Sequence, residues 1–299
     1  MQTLYSLEAM NNELSPAEAI TILKKNLEQS KQLFAYLVYF ITEIARYSEV
    51  DALQKSSKHL PTQNDLHINT KIAGNEIVWI VLQDESFKKA AQNYNLKLLV
   101  DDDLVKKLYH SLVNTPQYQS YILLPSRERL SEKNMLQFIF SDVMLPDENF
   151  INHIEECFIY WDDDGDMMIT LMAAFFQKPG TFNFNEILTE EKWEFAKTLL
   201  ECVIDKKEYC LELIKPKLKN WDSERIAALD MILMQMGLCE FLYFETIPPK
   251  VTINEYIDLA KEYSTPQSGH FVNGILDNIH KELLSGNKIQ KKNFRNSTL

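Results

Sequence analysis

The chain has 299 residues, 45% of them apolar and 25% charged, with a formal net charge of −12. That composition is globular rather than disordered, and so acidic a surface excludes a protein that grips nucleic acid with its whole exterior, though not one with a local basic site. Only 7 glycines occur, none in a GxGxxG or GxxxxGK pattern, which excludes the usual glycine-rich phosphate turns and, with long Leu/Ile/Lys/Glu-rich stretches, favours helices over sheets.

Met1, Leu4 and Leu7 open the chain in a helical apolar pattern. Ser15-Pro16-Ala17-Glu18 reads as a capping box with proline at the first helical position. Ile20, Leu23, Leu27, Phe34, Leu37, Val38, Ile41 and Ile44 then recur at helical spacing, predicting a helix to about Lys55 that Leu60-Pro61-Thr62 ends. Residues 61–73 are polar and read as a loop. Helical patterns resume over Ile77–Leu82, Leu104–Val113 and Met135–Val143, punctuated by Pro116, Pro125 and Pro146, with a break at Pro179-Gly180-Thr181.

The last third carries the clearest signals. Ala196, Leu199, Leu200 and Val203 form one stripe. Asp222 is placed to cap a helix with Ile226, Leu229, Leu233 and Met236 on its core face, which Pro248-Pro249 stops. Thr252-Ile253-Asn254-Glu255 reads as a second capping box, and Thr265-Pro266 as the start of a final helix with Phe271, Ile275 and Ile279 on one face. The segment from Lys281 holds Lys281, Lys288, Lys291, Lys292 and Arg295 against Glu282 alone, and reads as a solvated basic tail. A faint internal echo links Leu104–Leu108 and Tyr118 with Phe195–Leu199 and Tyr209, as duplication or as chance.

Catalytic chemistry finds little support. Asp162-Asp163-Asp164-Gly165-Asp166 suggests a calcium loop, but with Gly165 as its sixth position the first and twelfth are Tyr160 and Leu171, where carboxylates are needed. A solvated acidic turn is the better reading. The six histidines form no HExxH and the four cysteines no CxxC, so no metal, cofactor or redox motif is expected. No GxSxG elbow occurs. No apolar run is long enough to span a bilayer, and an intracellular, cytoplasmic, non-enzymatic chain with buried free thiols is expected.

The segment from Val251 to Asp277 resembles the signature of the NusB family, in Ile253-Asn254-Glu255, Leu259-Ala260-Lys261, Ser268 and Phe271-Val272-Asn273-Gly274-Ile275-Leu276-Asp277. Leu229-Asp230, with the apolar run to Cys239-Glu240-Phe241, is similar to the family's preceding helix, and Leu4-Tyr5-Ser6 to its first helix. The resemblance implies an all-α fold of NusB-like helical bundles. Residues 1–15 would be the first helix, 16–185 a helical insertion as in enlarged bacterial forms, 186–285 the C-terminal core and 286–299 the basic tail. The family carries an arginine-rich segment before its first helix. Met1 already lies inside that helix's pattern, so a truncated start is expected.

By resemblance, the chain would bind boxA-type single-stranded RNA together with the ribosomal protein NusE, join the RNA polymerase antitermination complex and promote ribosomal RNA transcription. Tyr5, Lys217, Ser268, His270 and Phe271 would contact RNA, the rings by stacking and the lysine through phosphate. Asp230 and Glu240 would face NusE. Gly274 would allow close helix approach, and Asn273 would bond a neighbouring loop. The alternative is a helical interaction scaffold that has lost RNA binding. A NusB-like domain fused to an RNA methyltransferase is set aside, because no glycine-rich cofactor loop follows.

Overall fold

Short polar side chains cap the starts of nearly half of the helices in the described residues. In the computed structural model, which describes residues 1–10, 15–60, 62–63, 68–218, 226–289 and 291, helix α1 spans Gln2–Ala9 and α2 spans Pro16–Ser56. The expected capping box opens α2. The backbone N–H of Ser15 donates to Glu18 Oε2 at 2.7 Å, and the Glu18 N–H donates back to Ser15 Oγ at 3.4 Å. The reciprocal bonds satisfy donors that a helix start leaves open.

Next come α3 (Glu76–Gln83), α4 (Glu85–Asn93), the single turn α5 (Leu96–Leu99) and α6 (Asp102–Val113). Helix α7 spans Pro116–Leu123, and α8, Arg129–Phe138, continues into a π-helical stretch over Ile139–Met144. Helices α9 (Glu148–Cys157) and α10 (Trp161–Gln177) follow. Asn75, Asp84, Asp101, Thr115 and Asp147 each accept a backbone N–H at the start of α3, α4, α6, α7 and α9. Pro116, read as punctuation, is the first residue of α7, where its missing N–H costs nothing. Residues 162–166 lie in the first turns of α10, and a regular helix cannot wrap them around an ion.

The remaining helices are α11 (Glu190–Asp205), α12 (Lys207–Ile214) with a 3₁₀ turn over Lys215–Leu218, α13 (Ala228–Tyr243), α14 (Pro249–Tyr263) and α15 (Ser268–Ser285). Three expected starts move. Asp222 lies outside the described residues, and α13 begins at Ala228 with Ala227 at its cap position. Helix α14 begins at Pro249, whose ring presets a helical φ, so Thr252 sits inside the first turn rather than capping it. Helix α15 begins at Ser268, not at Thr265. Among the described residues every regular element is helical.

The chain divides into two packed units, Met1–Lys25 with Thr189–Leu299, and Asn26–Leu188. In the second unit the part of α2 from Leu33 to Ala45 is buried on nearly every side. Phe34 packs there edge-on against Phe175 and at a tilt against Phe182 and Phe184, at ring-centroid distances of 4.9–6.1 Å. In the first unit α13 is the central rod, buried from Ile232 to Phe241, with α1, α11, α12, α14 and α15 packed on it. A helix apolar on all sides belongs inside a bundle. Gly237 allows a close crossing, because a Cβ there would stand 3.0 Å from Leu276 and 3.4 Å from Tyr256. Gly274 does not have the role expected of it. A Cβ on it would meet nothing within 4 Å, and Asn273 beside it is exposed.

Candidate nucleic-acid and partner interface

Helix α15 decides the fate of most of the expected site residues. Phe271, Ile275 and Ile279 face the core, as their spacing predicts. Phe271 is 6% exposed. A ring so enclosed offers no free face for a base, and its place in this structure is packing. Ser268 is also buried, and its hydroxyl donates to Asp230 Oδ2 at 2.8 Å. Ser268 Oγ also accepts the Thr265 N–H at 3.2 Å. Ser268 therefore ties the turn before α15 to the first turn of α13, and is not free to meet RNA.

The two acids expected at a protein partner turn inward as well. Asp230 is 5% exposed and holds Ser268. Glu240 accepts the Thr252 hydroxyl at 2.8 Å on one oxygen and the Tyr256 hydroxyl at 2.7 Å on the other. The carboxylate thus stitches α13 to α14, and burial, with the carboxylate's charge and hydrogen bond added to it, pushes the Tyr256 phenol well above its ordinary range. Both acids read as surface groups in sequence because each lies in a helix with no polar stripe to betray its direction.

Tyr5, His270 and Lys217 remain toward solvent in different degrees. Tyr5 is 51% exposed on α1, and His270 is exposed on the first turn of α15. Lys217, on the 3₁₀ turn after α12, forms an ion pair with Glu282. Glu282 lies twelve residues after His270, roughly 18 Å along the α15 axis at 1.5 Å per residue. Lys217 and His270 therefore stand toward opposite ends of that helix.

The exposed side of α15 carries His270, Asn273, Gly274, Asn278 and Lys281. The amides and the imidazole can donate and accept to base edges, and the open space at Gly274 leaves the backbone approachable. Asn278 and Lys281 were missed in sequence. For Lys281 the available signal was its spacing, which turns it away from the Phe271, Ile275 and Ile279 stripe, whereas Asn278 falls seven residues after Phe271, nearly in line with it, and only the tertiary structure shows it exposed. Lys281 pairs with Asp277 at 2.6 Å.

The basic tail also behaves differently from expectation where it is described. Lys291 donates to the carbonyls of Glu240 at 2.8 Å and Phe244 at 2.7 Å. It closes the C-terminal end of α13, where backbone carbonyls lack partners and a cation is favoured. Residues 292–299, including Lys292 and Arg295, lie outside the described residues. The thiols are free. Cys210 and Cys239 are buried with their sulfurs 3.8 Å apart, and Cys157 and Cys202 are half-buried.

The first unit is thus an all-helical bundle around a buried central helix, with a polar face on its last helix. The family model of the NusB family matches residues 170–281, beginning inside α10. Transcription antitermination protein NusB of Salinibacter ruber is 42% identical over 98 residues, 33% of this chain and 61% of that protein. The protein of the same name from Methylacidiphilum infernorum is 42% identical over 101 residues, covering 34% and 69%. That from Thermodesulfovibrio yellowstonii is 35% identical over 128 residues, covering 39% and 85%. The match thus spans less than two thirds of the Salinibacter relative's length. No solved structure matches the chain. The chain belongs to the NusB family. Among the described residues no helix is long and apolar enough to cross a membrane.

Proposed function

We propose that this protein acts in transcription antitermination, binding boxA-type single-stranded RNA together with the ribosomal protein NusE and so promoting ribosomal RNA transcription. The observation that carries the reading is the family match over residues 170–281, with relatives named as transcription antitermination proteins. The role is assembly rather than chemistry. The contact surface would combine Tyr5 with the exposed side of α15, where His270 and Asn273 flank an open glycine. Stacking on aromatic faces and hydrogen bonds to base edges are how single-stranded RNA is read. Lys217 would serve phosphate only by leaving Glu282. Asp230 and Glu240 would support a partner surface indirectly, by holding α13 against α14 and the start of α15.

A second reading, a scaffold that has lost RNA binding, draws on the net charge of −12 and on the pairing of Lys217. Fluorescence anisotropy with labelled boxA-type RNA and a scrambled control, each with and without NusE, separates the two. The RNA reading expects tighter binding of the boxA-type strand, strengthened by NusE. Equal affinity for both strands in the presence of NusE would refute it. Binding of NusE without any RNA binding would establish the scaffold.

A further inference from the structure

The first unit brings together three thiols that lie far apart along the chain. Cys202 is on α11, Cys210 on α12 and Cys239 on α13. Cys239 is the centre of the group. Its sulfur stands 3.8 Å from that of Cys210, and its thiol is also hydrogen-bonded with that of Cys202. Cys210 and Cys239 are buried, whereas Cys202 is half-buried and so within reach of a small solute. A single enclosed thiol needs no explanation beyond packing, because cysteine behaves there as a small apolar residue. Three sulfurs gathered from three helices have a chemistry as well, since a thiol beside an oxidised one can resolve it into a disulfide.

The surroundings favour reaction at the accessible member. The hydrogen bond from Cys239 holds the Cys202 thiol below its ordinary pKa against the opposing effect of burial, and Lys206, four residues further along the chain, adds to it. A thiol is a nucleophile through its thiolate. Cys157 is half-buried too, but it lies in the other unit, beside His153 and with no second cysteine in that unit. Burial and Glu156 push its thiol up.

We propose that Cys202, Cys239 and Cys210 form a modification site for a small hydroperoxide, which reacts at Cys202 and leaves Cys239 in a disulfide. The Cys202 sulfur, its proton given to solvent, attacks one peroxide oxygen. The S–O bond forms as the O–O bond breaks, and the departing oxygen takes up a proton as water or alcohol. Cys239, deprotonated in turn, attacks the sulfenic sulfur, and the hydroxyl leaves with that proton as water. The peroxide gains two electrons and the two thiols lose them. Cys210, 3.8 Å from Cys239, can then exchange into the bond, its proton passing to the Cys202 sulfur that it releases. The bond ties α11 or α12 to α13. The site is independent of the RNA reading, since none of the three sulfurs lies on α15.

Treatment of the full chain with limiting hydrogen peroxide, followed by alkylation and peptide mass spectrometry, is the test. A peptide joining Cys239 to Cys202 or to Cys210 is expected, and dithiothreitol should remove it. In Cys239→Ser, or Cys239→Ala if that variant unfolds, the reaction should stop at Cys202, where dimedone traps the sulfenic acid. Cys202→Ser, or Cys202→Ala if serine unfolds the chain, should slow loss of the Cys239 thiol at least about tenfold, because the two sulfurs left are buried. Cys157 is the internal control and should keep its thiol while Cys239 loses its own. Absence of any linked peptide, oxidation of Cys157 as fast as that of Cys202, or an unchanged rate without Cys202 would overturn the proposal.

Discussion

Replacing Tyr256 by phenylalanine isolates one bond between α13 and α14. The ring keeps its place, 3% exposed in the wild type, and only the hydroxyl that donates to Glu240 Oε1 at 2.7 Å is lost. That oxygen is then buried with its charge and one fewer donor, while Thr252 still holds the other at 2.8 Å. Hydrogen bonds to charged groups contribute about 1.5–3 kcal/mol net, so helix α14 should open about 10- to 150-fold more often, at a factor of ten for about 1.4 kcal/mol. Amide hydrogen exchange across Pro249–Tyr263, followed by mass spectrometry where closing outpaces exchange, reads this opening directly. Tyr243→Phe is the control, because Tyr243 is 45% exposed and its loss should leave α14 protected as before. Acceleration below about threefold in Tyr256→Phe, corresponding to less than about 0.7 kcal/mol, would refute the assignment of Glu240 as the tie between these helices.

Four further outcomes follow from the same geometry. Burial lowers the His280 pKa below its ordinary value of 6.5, so the unfolded chain binds more protons in that window and stability falls as pH drops below about 6.5. Thermal melts across that range should show the loss in wild type and a shallower one in His280→Gln. Lys291→Ala removes both bonds at the end of α13 and should cost about 1 kcal/mol in urea unfolding, with an unchanged midpoint counting against the capping role. Tyr5→Ala should weaken RNA by about 1–3 kcal/mol if a base stacks there, leaving the melting temperature intact. Phe271→Ala should instead lower stability by about 3–5 kcal/mol as a core truncation, and normal stability with lost RNA affinity would restore Phe271 as a contact.

Local chemistry along the chain determined much of the architecture. The Ser15–Glu18 box, the apolar spacing of α2 and the stripe of α15 depend on neighbours three and four residues away, and the structure places all three where their spacing predicts. The motif from Ile253 to Asp277 likewise identifies the family without any coordinates. The capping aspartates at 84, 101 and 147 were equally local, but acidic residues are common in this chain and nothing marks those three until the helices begin. What sequence could not settle is direction on the central helix. Because α13 is buried on every side, it has no amphipathic contrast, and Asp230 and Glu240 look in sequence like surface acids. Only packing against α14 and α15 shows that their carboxylates accept from Ser268, Thr252 and Tyr256. The same holds for Phe271 and Gly274. Their motif marks both, but only the neighbouring helices decide that the ring is enclosed and the glycine open.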